Sequence, residues 1–329
     1  MIDPLERWRE LGLPDKPDYA GLLTYAGMPY TQDPAGLAGA DIAIVGAPTD
    51  DLVSDRPGTR FGPRAIRAAS CPPGPHLETG IDAFAELSVV DFGDAAVVPA
   101  DPERTHAQIE KTVGQVAAAG VVPVVLGGDH SISEANVRAV SARHGPVGLV
   151  HFDTHTDTGT EVFGVERSHG TPMYRLVRDG HVVGSRYVQI GLRGYWPGEA
   201  EFAWQREHGI TAFFMHDVQQ LGIREVVERA LDAVGDGTVF LTVDVDVLDP
   251  AFAPGTGTPE PGGMTSGELL WATRELASRL DLVGMDVVEV IPTAVGSADV
   301  TALVADRIVR EALTGIALRR NPNRMLTAR

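Results

Sequence analysis

Eight short apolar runs, rich in β-branched residues and bounded by turn-forming residues, recur along the 329-residue chain at 42–46, 87–92, 121–127, 147–153, 187–192, 210–214, 238–246 and 282–290. Most are apolar at consecutive positions rather than at every second one, so a strand built from one of them has both faces to bury. Stretches with apolar residues at helical spacing separate most of the runs: 102–119 after the second, 131–144 after the third, 223–234 and 265–279 on either side of the seventh, and 299–313 near the end. Strand and helix in alternation predict an α/β fold with one large, mainly parallel sheet covered by helices on both sides. No linker, low-complexity tract or repeat breaks the rhythm. Residues 41–329 therefore read as a single domain, behind an N-terminal arm or cap of residues 1–40.

Charge narrows the partners. A net charge of −18 repels phosphate backbones, which argues against nucleic-acid binding. Cys71 is the only cysteine, so no intrachain disulfide forms, which suits a reducing cytoplasm. The first residues are charged and interrupted by proline, unlike a secretory signal, and no run of about 18 apolar residues is present to span a membrane.

The unusual polar residues gather where strands end, the edge at which open α/β sheets bind ligands. The third run leads into Gly127-Gly128-Asp129-His130, the fourth into Asp153-Thr154-His155-Thr156-Asp157, and the seventh into Asp244-Val245-Asp246. In extended backbone, residues two apart point to one side, so Asp153 with His155, and Asp244 with Asp246, each offer two ligands to a common site. Asp157 lies just beyond its strand, where the chain can curl back. Four carboxylates and two imidazoles, His130 and His155, at one buried edge repel one another unless cations neutralise them. Two divalent ions would do so, and an oxygen-rich set with some imidazole favours Mn²⁺ over Zn²⁺. Two such ions about 3.5–4 Å apart share a water and make hydroxide available near neutral pH. His151 reads as a packing residue or a support for this site. His106, His144, His181, His208 and His216 read as surface residues.

The stretches GGDHSIS (127–133), HFDTHTDT (151–158), SHGTP (168–172), DVDVLDPAFAPGTGTPEPGG (244–263) and GMDVVEV (284–290) together resemble the ureohydrolases, the arginase and agmatinase family. RPGTRFGPRAIR (56–67) looks like the loop after the first strand in the agmatinase and guanidinobutyrase branch. Thr154 departs from the alanine common between the Asp and the His, with little expected effect. The resemblance implies a three-layer α/β/α sandwich with an eight-stranded sheet. It implies one manganese on His130, Asp153, Asp157 and Asp244, and a second on Asp153, His155, Asp244 and Asp246. It also implies three catalytic residues: His169 as proton shuttle, Glu289 as partner of the substrate guanidinium, and Asp157, which doubles as a ligand. A homo-oligomer, trimer or hexamer, is implied as well. Two dications, four carboxylates and one hydroxide sum to −1, which suits a +1 guanidinium.

The implied reaction is hydrolysis of a linear guanidino compound to urea and an amine. Where arginases clamp the α-amino acid group, this chain carries Gly159, Val165 and Gly194, so arginine is disfavoured. Agmatine is the favoured substrate and 4-guanidinobutyrate, or another guanidino acid, the alternative. The substrate tail would lie among loops 158–168 and 193–198: Glu161 and Glu166 would suit an ammonium, Arg167 and Arg193 a carboxylate, with simple solvation of these loop charges as the default reading. A single-zinc deacetylase-like hydrolase would not need His130, Asp157 and Asp246. A non-catalytic relative would have lost a ligand or His169, and neither is missing.

Overall fold

The computed structural model describes residues 1–13, 16–17, 19–292 and 299–321, so the end of the expected catalytic domain, 322–329, lies outside the described residues. All eight apolar runs form strands: β1 Ile42–Ala47, β2 Val89–Asp94, β3 Val122–Gly127, β4 Val147–Phe152, β5 Val182–Leu192, β6 Thr211–Phe214, β7 Thr238–Asp244 and β8 Asp281–Val288. They join in one sheet, every pairing parallel, in the order β2-β1-β3-β8-β7-β4-β5-β6.

The helices are α1 Glu6–Arg9, α2 Gly62–Ala69, α3 Ala83–Glu86, α4 Pro102–Ala118, α5 Ile132–His144, α6 Pro172–Arg178, α7 Glu199–Glu207, α8 Met215–Leu221, α9 Ile223–Val234, α10 Ser266–Arg279 and α11 Val300–Arg320. Local chemistry sets several of their starts. Asp101 accepts from the Arg104 N–H with Pro102 opening α4, and Thr265 and Glu268 bond each other's backbone N–H at the head of α10. Alternate strand residues pack on opposite faces. Ile42 and Ile44 join the core under α2, α9, α10 and α11, whereas Ala43 and Val45 join the core under α4, α5 and α6. The sandwich has three layers, as expected.

Two element assignments needed correction. The stretch 56–67 is not all loop: α2 begins at Gly62, because Pro63 at a helix's first positions loses no bond it could have made. The last helix runs past Leu313 to Arg320. Gly315, a helix breaker by composition, is there so that α11 can press on α10; a Cβ would stand 2.5 Å from the Arg274 carbonyl oxygen. No helix among the described residues is long and apolar enough to cross a membrane.

The N-terminal residues dock along the β2 edge and the far helix. The Tyr25 N–H donates to Asp91 Oδ2 (2.7 Å), and the buried Tyr25 hydroxyl donates to the Asp306 carbonyl (3.3 Å). Asp91 in turn takes two bonds from the Arg67 guanidinium, 2.8 and 3.0 Å.

Candidate metal centre

The sheet order places four strands side by side, β3, β8, β7 and β4, and each ends in a polar cluster. Leu126, Val287, Val243 and Phe152 form one row across them. One residue further along, β7 presents Asp244 and β4 leads into Asp153. Two residues back from each stand Thr242 and His151, on the same face by the alternation of the strand. At the end of β3 the chain turns in close quarters: a Cβ on Gly128 would meet the Ala47 carbonyl oxygen at 2.5 Å, so the paired glycines let the backbone pass and deliver His130.

Asp157 and Glu289 are both left-handed, with φ of 51° and 63°. Non-glycine residues adopt this region at a cost, and they cluster at functional sites. The turn at Asp157 is what brings it back over the strand end. The turn at Glu289 points its carboxylate inward, where Oε1 accepts from the His130 N–H (2.9 Å) and meets His169 Nδ1 (2.9 Å).

The six expected ligands converge. His130 Nδ1 lies 3.0 Å from Asp153 Oδ2, 2.9 Å from Asp157 Oδ2 and 3.4 Å from Asp244 Oδ2. His155 Nδ1 lies 3.4 Å from Asp153 Oδ1 and 3.1 Å from Asp246 Oδ2. Asp153 thus turns one oxygen to each histidine. Donor atoms roughly 3 Å apart are spaced like neighbours around one ion with bonds of about 2.1 Å. His130 tests the fit. Its Nε2 is taken by Thr242 Oγ1 (2.9 Å), and its buried Nδ1 finds no hydrogen-bond partner although three carboxylate oxygens surround it. A nitrogen lone pair aimed at carboxylates is repelled unless a cation stands between them, so this donor set fits divalent ions.

His151 supports the centre. It bonds Asp153 Oδ2 through Nε2 (2.8 Å) and the Tyr187 hydroxyl through Nδ1 (2.8 Å), which fixes both the carboxylate and its own ring. With no cation counted, the charges are frustrated. Burial, then Asp246 and Asp153, push the Asp244 carboxyl well above its ordinary range, and burial with Asp153 raises Asp246 to about 6. Burial opposes protonation of His130, yet the carboxylates of Asp153 and Asp157 facing Nδ1 favour the charged ring and raise it well above a free imidazole.

A cleft of about 710 Å³ opens over His155, Asp157, Asp244 and His169. Its walls include Asp55, Arg56, Gly159, Glu161, Phe163, Trp196, Glu201 and Glu260. Glu201, on α7, takes the hydroxyls of Thr156 and Thr158 at 3.4 Å each, and burial raises its pKa.

Three expectations fail on tertiary contacts. Arg167 is no tail reader: its guanidinium turns inward to Glu134 (3.1 Å) and Glu103 (2.6 Å). Nor is Arg193, whose guanidinium sits in a cage of backbone carbonyls that includes Asp246 (2.8 Å), Glu260 (2.6 Å) and Val247 (3.1 Å). His106 is buried rather than on the surface and meets Ser131 Oγ at 3.0 Å. Glu166 is exposed and is absent from the cleft walls, whereas Glu161 is on them. Sequence reasoning missed Thr242, Glu201, Ser54 and Asp129. Thr242 was within reach, being two residues before Asp244. The other three, Glu201 on α7, Ser54 after β1 and Asp129 after β3, come from segments that meet only in the folded chain.

The sequence model of the arginase family matches residues 40–315. A guanidinobutyrase of Pseudomonas aeruginosa is 39% identical over 86% of this chain and 88% of its own length. A guanidinopropionase of the same organism is 42% identical over 92% and 93%. The mitochondrial agmatinase of Gallus gallus is 40% identical over 84% and 81%. The solved proclavaminate amidino hydrolase of Streptomyces clavuligerus superposes with a TM-score of 0.86 at 35% identity, covering 92% of this chain and 100% of that one.

Proposed function

This chain belongs to the arginase family, and from that premise we propose that it is a two-manganese hydrolase that cuts a linear guanidino compound with an ammonium tail, agmatine, into urea and a diamine. His130, Asp153, Asp157 and Asp244 would hold one ion and Asp153, His155, Asp244 and Asp246 the other, with Asp153 and Asp244 shared. Bound there, two such ions would supply Lewis acidity and a water of lowered pKa. Residues 41–329 are read as the catalytic domain and 1–40 as its cap. A homo-oligomer in the cytoplasm belongs to the same reading.

The protein's own groups prepare the substrate. Glu289 carries a buried oxygen, Oε2, with no hydrogen-bond partner, and a planar guanidinium offers it a charge-assisted donor. That contact fixes the carbon to be attacked in one orientation. His169 keeps Nδ1 beside Glu289 Oε1, within reach of the same guanidinium, and is the group that holds the proton needed by the departing amine.

The charge of the cleft walls carries the choice of tail. Asp55, Glu161, Glu201 and Glu260 line it, and both arginines that would suit a carboxylate are bound elsewhere. A second reading, a guanidino acid, is favoured by Arg56, the one arginine or lysine on the cleft wall among the described residues, and by the relatives named guanidinobutyrase and guanidinopropionase. Urea release by Mn²⁺-loaded protein, with agmatine, 4-guanidinobutyrate, 3-guanidinopropionate and arginine at equal concentration, separates the readings. Agmatine is expected to lead. A guanidino acid in the lead, with that lead lost in Arg56→Gln, would put the second reading in its place. Urea from arginine alone would overturn what is read from Gly159, Val165 and Gly194.

A further inference from the structure

We infer that Ser54 is the positioning residue that lets His169 both hold and release a proton, because, among the described residues, its hydroxyl is the one group at Nε2 able to serve both charge states of the ring. The inference rests on His169 being the proton carrier.

Ser54 lies in the segment that follows β1, far in sequence from His169 and on the cleft wall. Its Oγ stands 2.7 Å from His169 Nε2, and its backbone N–H donates to the same nitrogen at 3.0 Å. The segment is pinned on both sides. The Leu52 carbonyl accepts from the His169 N–H (3.2 Å) and from Ser168 Oγ (3.3 Å), while the Leu52 N–H donates to Asp129 Oδ2 (3.3 Å). Asp129 is itself held by the Ser131 N–H at 3.0 Å, in the turn that carries His130. The segment after β1, the His169 backbone and the turn that carries His130 are therefore tied to one another.

The donor and acceptor inventory then decides. A peptide N–H only donates, so the Ser54 N–H requires a lone pair on Nε2. A carboxylate only accepts, so Glu289 Oε1 requires the proton on Nδ1. Together they select the neutral ring with its proton on Nδ1, directed at Glu289 and the substrate. When the ring is charged, both nitrogens carry hydrogen, and the Ser54 N–H faces another N–H. The hydroxyl alone reverses: it donates to Nε2 of the neutral ring and accepts from Nε2–H of the charged one.

Groups from every side bear on the ring. Burial opposes its charge, but Glu289 at the end of β8, Asp157 after β4 and Asp129 after β3 together raise His169 to about 9. Asp55 and Arg56 flank Ser54 on the cleft wall. The carboxylates favour the charged ring and the Ser54 N–H the neutral one. The hydroxyl keeps the exchange between them from leaving Nε2 unpaired.

Ser54→Ala removes the hydroxyl and leaves the backbone N–H in place. With Mn²⁺-loaded protein and its best guanidino substrate, the expected result is a kcat lower by about tenfold, the loss of one hydrogen bond to a charged group. KM and metal content should stay the same. The apparent pKa lost from the pH–rate profile of His169→Asn should shift downward in Ser54→Ala, and Ser54→Thr should restore both kcat and profile. In a His169→Asn background, Ser54→Ala should cost nothing further. Wild-type kcat and profile in Ser54→Ala, or an equal loss in the His169→Asn background, would overturn the role of Ser54. If His169→Asn alone kept full activity, the assignment of His169 would fail first, and that single variant identifies which of the two ideas is wrong.

Discussion

His130 Nδ1 condenses the chemistry of the site into one atom: a buried nitrogen, without a hydrogen-bond partner, ringed by oxygens of Asp153, Asp157 and Asp244. Such a cluster is unfavourable on its own and favourable around cations. The two conditions give one substitution opposite signs. Asp244→Asn keeps the shape and removes a charge from a carboxyl whose pKa is raised by burial and by Asp246 and Asp153. If the centre holds two manganese ions as proposed, metal content after Mn²⁺ loading is expected to fall below the wild-type value, with urea release down more than about 100-fold. After chelation, however, the variant should melt above chelated wild type. A group whose folded pKa lies above its unfolded value destabilises the fold once pH exceeds the unfolded one, and the variant lacks that group. Metal analysis and thermal melts at pH 8, with and without chelator, read both signs. A variant that melts lower in both states would mean that Asp244 is merely structural.

Elements deliver these atoms, and their packing imposes requirements that local pattern does not reveal. His106 on α4 looks like a surface histidine by spacing, yet it plugs the turn after β3 through Ser131. Burial and then the charge of Arg167 lower its pKa from 6.5 to about 4. Because the folded value lies below the unfolded one, the unfolded chain binds the extra proton between these pH values. The stabilisation is complete above pH 6.5 and is lost as pH falls toward 4, by roughly 3 kcal/mol. Denaturant titrations at pH 7 and pH 4.5 should show a larger loss for the wild type than for His106→Asn. Equal losses would remove His106 from the account. The strands were legible because burial on both faces leaves a run of apolar residues that nothing else in the chain imitates. Helix α2 and the end of α11 were not, since proline and glycine carry low helix propensity and only the helix start at Pro63 and the close helix contact at Gly315 give them a use.

At the scale of the whole molecule, the −18 net charge and the acidic residues of the cleft would together draw in a cationic substrate. If the tail is an ammonium, kcat/KM should fall as salt rises from about 0.01 to 0.5 M while the same constant for zwitterionic 4-guanidinobutyrate stays nearly flat. Stopped-time urea assays across that range decide it, and parallel curves would place the negative charge elsewhere than on the substrate's path. The chain's sequence determined its class and its eight strands, because burial on two faces is a local property, and it marked His130, Asp153, His155, Asp157, Asp244 and Asp246 as polar residues at strand ends. The extended backbone expected for the two pairs is not what joins them, since β4 ends at Phe152 and Asp246 lies in a 3-10 turn, Val245–Val247. Tertiary structure alone decided the rest. The β3-β8-β7-β4 order sets the ends of four distant segments next to each other and gives Glu289 its neighbours. Loop contacts turn Arg167 and Arg193 away from the cleft and bring Ser54 to His169. Which strands become neighbours, and which loop covers them, depends on how all the layers pack at once, and no local stretch of sequence carries that information.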